Sequence, residues 1–134
     1  MDTVELKVTS ETCNVSLVVQ KLEEFCKTHS IEVDTIENIA IACDEALTNI
    51  MMHGYEGRVD GDIEVKFDIN QDTLSIMIVD YGKRFKPGRI ERKPKFKLDE
   101  WEVGGFGLIL MNEFMDELRF SHDEKLKRNS LIMR

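Results

Sequence analysis

Apolar and polar residues alternate over residues 4–9, Val-Glu-Leu-Lys-Val-Thr, which is the period of a half-buried strand. The period then lengthens. Val15, Val18, Val19, Leu22, Phe25 and Cys26 recur at three- and four-residue steps, predicting a helix over 14–29 that turns this face to the core. A second stripe, Ile36, Ile39, Ala40, Cys43, Ala46, Leu47 and Ile50, predicts a long helix over 34–54. Asp34 reads as its N-cap, Glu37 completes a capping-box-like pattern, and Gly54 is the expected stop. Two further alternating runs, 62–70 and 73–80, meet at Asn70, Gln71 and Asp72, whose turn chemistry predicts an antiparallel hairpin.

No period holds over 81–103, the stretch that contains both prolines, Pro87 and Pro94, so an irregular loop is expected there. Gly104-Gly105-Phe106-Gly107 opens a last helix to about residue 116, with Leu108, Leu110, Met111, Phe114 and Met115 supplying apolar content. Residues 117–122 and 130–134 would close the fold as a second antiparallel pair. The order is strand, two helices, two strands, loop, helix, two strands. It predicts an α+β, two-layer sandwich in which helices cover one face of a mixed, mostly antiparallel sheet. At 134 residues, 42% of them apolar or aromatic, a single domain over 1–134 is expected.

Composition narrows the partners. A formal net charge of −8 repels a nucleic-acid backbone, whose binding needs Lys and Arg to displace counterions, so nucleic acid is not an expected partner. Residues 1–8 lack the apolar stretch of a signal peptide, and no apolar run approaches the roughly 18 residues of a membrane span. No membrane association and a cytoplasmic location are therefore expected. Cys13, Cys26 and Cys43 are widely spaced with no C-x-x-C pair, so reduced, mostly buried thiols are expected rather than zinc or redox chemistry. His29, His53 and His122 are too scattered to suggest a metal site.

Three places carry residues that a core does not require. Glu45 and Asn49 are four apart and adjacent on the surface of the second helix, where a carboxylate and a carboxamide can set a general base beside a metal ligand; a solvated helix flank would look the same. Asp80-Tyr81-Gly82 ends an apolar strand in an acid and a glycine. A carboxylate there can accept a hydrogen bond from an exocyclic amine, and glycine permits close approach of a ligand, although an ordinary strand-end turn has this composition too. Gly104-Gly105-Phe106-Gly107 precedes a helix N-terminus, where exposed N–H groups and the helix dipole favour phosphate; a flexible turn also uses such glycines. No G-x-x-x-x-G-K-[ST] sequence is present, which excludes Walker-type phosphate binding.

Taken in order, these segments resemble a known set. Glu45-Ala-Leu-Thr-Asn49-Ile-Met-Met-His53-Gly-Tyr55 is similar to the N box of the Bergerat-fold (GHKL, histidine kinase-like) ATPases, in the form found in bacterial anti-sigma factor serine kinases. Asp80-Tyr81-Gly82 resembles their next box, and Gly104-Gly105-Phe106-Gly107-Leu108, followed by Met115-Asp116-Glu117-Leu118, resembles their glycine-rich box and the helix end after it. The resemblance implies a Bergerat ATP-binding fold that uses ATP and Mg²⁺. It implies Asn49 as the Mg²⁺ ligand, Glu45 as the base for an attacking serine hydroxyl or water, and Asp80 as the acceptor of the adenine amine. By the same resemblance Gly82 would let the base lie close to the chain and His53 would line the pocket. Gly104, Gly105, Phe106, Gly107 and Leu108 would shape a lid spanning about 81–107. Two positions depart from the pattern. Arg84 stands where a second glycine is expected, a glycine that the serine kinases often lack, and Asn129-Ser130 stands for a Gly-Thr pair, making Ser130 the nucleotide contact on that alignment.

The resemblance further implies a protein-serine kinase that phosphorylates a STAS-type anti-anti-sigma protein and sequesters a sigma factor, working as a homodimer. The alternative is a nucleotide-dependent binding module with little kinase activity, which would not need Glu45. A sensor histidine kinase fits less well, because no segment bearing a phosphoacceptor histidine accompanies these boxes. One charge feature stands outside the pattern. Between Lys83 and Lys97, eight basic residues face only Glu91, a segment charge of +7 that leaves −15 on the rest of a chain whose total is −8. Such a segment suits the triphosphate or an acidic partner, and equally a solvated loop.

Overall fold

The computed structural model describes residues 2–83, 111 and 113–134. Strand β1 is Asp2–Thr9, helix α1 Cys13–Thr28, helix α2 Val33–Asn49, strand β2 Asp62–Asn70, strand β3 Thr73–Asp80, strand β4 Leu118–Asp123 and strand β5 Arg128–Met133. Helical residues Met111, Glu113 and Phe114 precede β4. The strands form one sheet in the order β1-β2-β3-β5-β4. The class is the expected α+β, but every described pairing is antiparallel rather than mixed. The reason lies between β1 and β2: two successive helices, not one, cross the sheet, so the chain traverses its length once more and returns reversed.

The predicted stripes make the core. Val18, Leu22 and Cys26 of α1 and Ile39, Cys43, Ala46 and Leu47 of α2 pack on Ile63, Val65 and Phe67 of β2, Ile76 and Ile78 of β3 and Leu131 and Met133 of β5. Fully buried Phe67 and Leu22 each contribute about 1.5–3 kcal/mol of apolar transfer. Ala42 is buried on α2, and Ala40, a predicted stripe position, is only half-buried. Burial pushes the Cys26 thiol up to about 11 and the Cys43 thiol up to about 12, which leaves both inert. Cys13 is exposed and the other two are buried, the mostly buried set that was expected.

The α2 N-terminus corrects the capping expectation. The carbonyl of Glu32 accepts the Ile36 N–H at 2.9 Å, so Glu32 is the N-cap, in extended conformation and without a side-chain bond. Asp34 falls inside the first turn, where its charge complements the helix dipole by about 0.3–1 kcal/mol. At the other end, the helix continues past Asn49 as a π-helical turn, Ile50–Gly54. The Tyr55 N–H reaches back five residues to the carbonyl of Ile50 at 2.9 Å. Such a turn shifts the face of every later residue and recurs at functional sites.

Candidate functional site

Beyond the π turn the chain is pinned to the end of β3. Tyr55 is buried; its hydroxyl donates to the Asp62 carbonyl at 2.5 Å and accepts the Tyr81 N–H at 2.8 Å. Its ring lies where any side chain on Gly61 would sit, with a Cβ built there only 2.4 Å from the ring. The Lys83 N–H donates to the Gly54 carbonyl at 2.7 Å. A Cβ on Gly82 would lie 2.6 Å from that same carbonyl oxygen. Gly82 therefore answers to a backbone-on-backbone contact with Gly54, a reason the sequence did not reveal.

These contacts put Asp80 at the floor of a pocket lined among others by Ala46, Asn49, Gly54, Lys83, Met111 and Asn129. Asp80 is 6% exposed, and both hydrogen bonds described for its carboxylate fall on one oxygen. Oδ1 accepts the Gly82 N–H at 2.9 Å and the Asn129 Nδ2 at 3.0 Å. Burial pushes the Asp80 carboxyl above its ordinary range; the bonds from Asn129 and Gly82 and the charge of His122 pull it back. Asn49 faces the same pocket, and its Nδ2 is buried with no hydrogen-bond partner. Because a carboxamide's oxygen and nitrogen are assigned from their partners, an amide whose nitrogen has none can be turned to present its oxygen to a cation. An unpartnered amide nitrogen and a buried carboxylate lining one pocket fit a polar, metal-bearing ligand.

Glu45 lies one turn before Asn49 on α2, half-buried and outside the described lining of the pocket. Burial raises its carboxyl above the ordinary range, and the neighbouring Asp44 adds to that. His53 is half-buried in the π turn and is not among the lining residues. Ser130 lines the pocket, yet the register opposes Asn129, not Ser130, to Asp80, and the pleat directs the Ser130 side chain to the other face. Asn129 is thus the residue whose role went unread. Gly104, Gly105, Phe106, Gly107 and Leu108 lie outside the described residues, as does the basic segment beyond Lys83. No helix among the described residues is long and apolar enough to cross a membrane.

Residues 8–134 match the family described as histidine kinase-like ATPase domain. The chain is 31% identical over 127 residues to the serine-protein kinase RsbW of Bacillus licheniformis, covering 91% of this chain and 79% of that one. It is 29% identical over 123 residues to the serine-protein kinase RsbW of Bacillus subtilis, covering 88% and 77%. A solved structure of the RsbU and RsbW domains of a Mycobacterium tuberculosis protein superposes with a TM-score of 0.71 at 17% identity. It covers 99% of this chain, which spans 32% of that one, and it speaks for the fold alone.

Proposed function

The chain belongs to the family of histidine kinase-like ATPase domains, and on that premise we propose that it is an ATP-dependent protein-serine kinase acting as an anti-sigma factor. Its substrate is a serine of a STAS-type anti-anti-sigma protein, and its alternate partner is a sigma factor. It works in the cytoplasm as a homodimer. The serine-protein kinases among its relatives support the reaction class. The observation that carries the reading is the pairing, in one pocket, of a buried carboxylate whose described hydrogen bonds all fall on one oxygen with a carboxamide whose buried nitrogen has no partner.

Each residue has a physical task. Asp80 accepts a hydrogen bond from the exocyclic amine of adenine, a contact that a base with an oxo group there cannot make. Asn49 would hold Mg²⁺ through its carboxamide oxygen, and a bound Mg²⁺ neutralises charge on the phosphates. Lys83, at the pocket wall, brings a positive charge to the same ligand. Glu45 receives the proton of the attacking serine hydroxyl; the upward push on its carboxyl brings the base nearer to working pH. Phosphoryl transfer asks mainly for such positioning and charge neutralisation.

Calorimetric titration of ATP and ADP, with and without Mg²⁺, tests the pocket. Binding by the wild type, lost in Asp80→Asn and made Mg²⁺-independent in Asn49→Ala, is the expected result. Absence of nucleotide binding by folded wild type would remove the reading. Transfer of the γ-phosphate to a STAS protein, abolished when the acceptor serine is alanine, tests the activity. Nucleotide binding without such transfer would leave a nucleotide-dependent binding module.

A further inference from the structure

Asp80, Asn129 and His122 are cross-strand neighbours on β3, β5 and β4, a single rung on the helix-covered face of the sheet. Asn129 is 8% exposed and uses its whole amide. Its Nδ2 donates both hydrogens, to Asp80 Oδ1 at 3.0 Å and to the carbonyl of Gly82 at 3.0 Å. A main-chain carbonyl can only accept, so the nitrogen of this amide must face Gly82 and its oxygen must face the other way. That oxygen lies 2.7 Å from His122 Nδ1, so Nδ1 carries the proton and donates. The direction of every bond in the rung follows from the one acceptor that cannot change role.

We propose that Asn129, oriented by His122, is the positioning residue that holds Asp80 as a hydrogen-bond acceptor with its second oxygen turned to the ligand, and so sets a preference for an amine-bearing over an oxo-bearing purine. The inference rests on the reading of Asp80 as the nucleobase contact and adds how that contact keeps its sign. A buried carboxylate left to itself takes up a proton. Protonated, Asp80 would offer an O–H and match the oxo group of inosine or guanine instead of the amine of adenine. Asn129 and the Gly82 amide oppose this by placing two donors on Oδ1, which stabilises the ionised form. Among the described residues, the titratable and charged groups around Asp80 are His122 on β4, Tyr55 after the π turn and Lys83 after β3. Glu124 lies behind His122, its Oε1 at 3.5 Å from Nε2. None of these makes a described hydrogen bond to the Asp80 carboxylate, which takes its donors from Asn129 and Gly82. His122 orients Asn129, whose amide oxygen without that N–H loses the partner that keeps the side chain from rotating, and its charge also acts on Asp80 directly.

The test compares ATP with inosine triphosphate, binding both to the full chain with Mg²⁺ by calorimetry from acid to neutral pH. The wild type is expected to prefer ATP, with affinity falling on the acid side as Asp80 protonates. Asn129→Ala should lose about tenfold of that preference, the worth of a hydrogen bond to a charged group, and its acid-side fall should begin at higher pH. His122→Ala should move both readouts in the same direction by less. His122→Asn, which keeps a donor close to the Nδ1 position, should restore the preference for ATP. These two variants keep the question open to an answer if Asn129→Ala does not fold. Equal loss of both nucleotides with an unmoved pH profile would mean that the rung is merely structural and overturn the inference alone. A wild type that binds both nucleotides alike would overturn the nucleobase reading and this inference with it.

Discussion

Alanine at position 82 puts a methyl carbon 2.6 Å from the carbonyl oxygen of Gly54, 2.7 Å from its carbonyl carbon and 3.2 Å from its Cα. All three are main-chain atoms, so no side chain can swing aside to make room. Relief requires the segment after β3 to lift away from the π turn, which breaks the Lys83-to-Gly54 hydrogen bond of 2.7 Å. Overpacking of this kind costs about 1–3 kcal/mol and the lost bond about 1 more, giving roughly 2–4 kcal/mol in all. The partner glycine supplies the control. A Cβ on Gly54 meets nothing nearer than Asp80 Oδ1 at 3.7 Å, an ordinary contact, so Gly54→Ala should stay within about 0.5–1 kcal/mol of wild type, toward stabilisation if anything.

Urea unfolding of the nucleotide-free protein measures both changes from the transition midpoints at unchanged slope. Gly82→Ala is expected to unfold at clearly lower urea and to bind ATP more weakly, because Gly82 also donates to Asp80 and accepts from Asn129. The reasoning is refuted if Gly82→Ala matches wild type in stability to within about 0.5 kcal/mol, the scatter of a neutral surface change. Should it do so while losing ATP binding, the glycine would be there for the ligand, as the resemblance alone implies, and not for Gly54.

The other tests are simpler. Asp80 has a native value raised above the ordinary 3.8, so between the two values the folded chain holds a proton that the unfolded chain has lost. Its contribution to stability is therefore present below 3.8 and declines as pH rises through the native value. Asp80→Asn removes that decline, so it should gain on the wild type in thermal melts as pH rises through this window while losing ATP binding; a gain that grows toward acid would contradict the burial argument. Asn49→Ala deletes a buried amide nitrogen without a partner, so stability should hold or rise by up to about 1 kcal/mol while Mg²⁺ ceases to affect ATP affinity. Glu45→Gln should leave ATP affinity near wild type and slow phosphate transfer by about 10²–10⁴, measured in single turnover; transfer at the wild-type rate would remove Glu45 as base. Reversing Lys93 and Lys95 to Glu should weaken nucleotide or partner binding in a salt-dependent way, and unchanged affinity at low salt would end the electrostatic reading of that segment.

What the sequence made legible and what it hid divide along a physical line. Periodicity reports burial, so the α1 and α2 stripes and the hairpin of β2 and β3 could be read from spacing alone, the hairpin to the residue. Glu45 and Asn49 could be paired because four residues of helix is a fixed geometry. The start of α2 was misread because Asp34-x-x-Glu37 satisfies the capping pattern in letters, while the Glu32 carbonyl had already accepted the first helical bond. The π turn has no periodic signature at all, since one extra residue in a single turn leaves the apolar spacing on either side intact.

Asn129 stayed hidden for a different reason: its function belongs to register. Which residue of β5 meets Asp80 depends on where the β4–β5 turn reverses the chain. That turn is set by Asp123, whose Oδ1 accepts the Lys125 and Leu126 N–H groups at 2.9 and 3.1 Å, and by Lys127 at a φ of 51°. A turn one residue later would carry Ser130, the nucleotide contact on the Gly-Thr matching, into the rung and make it the neighbour of Asp80. The Asp123 side chain was the available signal, because an aspartate two residues before a backbone donor nucleates such turns. The same registry explains the stakes at this site. A one-residue slip of β5 flips its entire side-chain set between faces. It would withdraw the amide that keeps Asp80 an acceptor at the same moment as it turned Leu131 and Met133 out of the core.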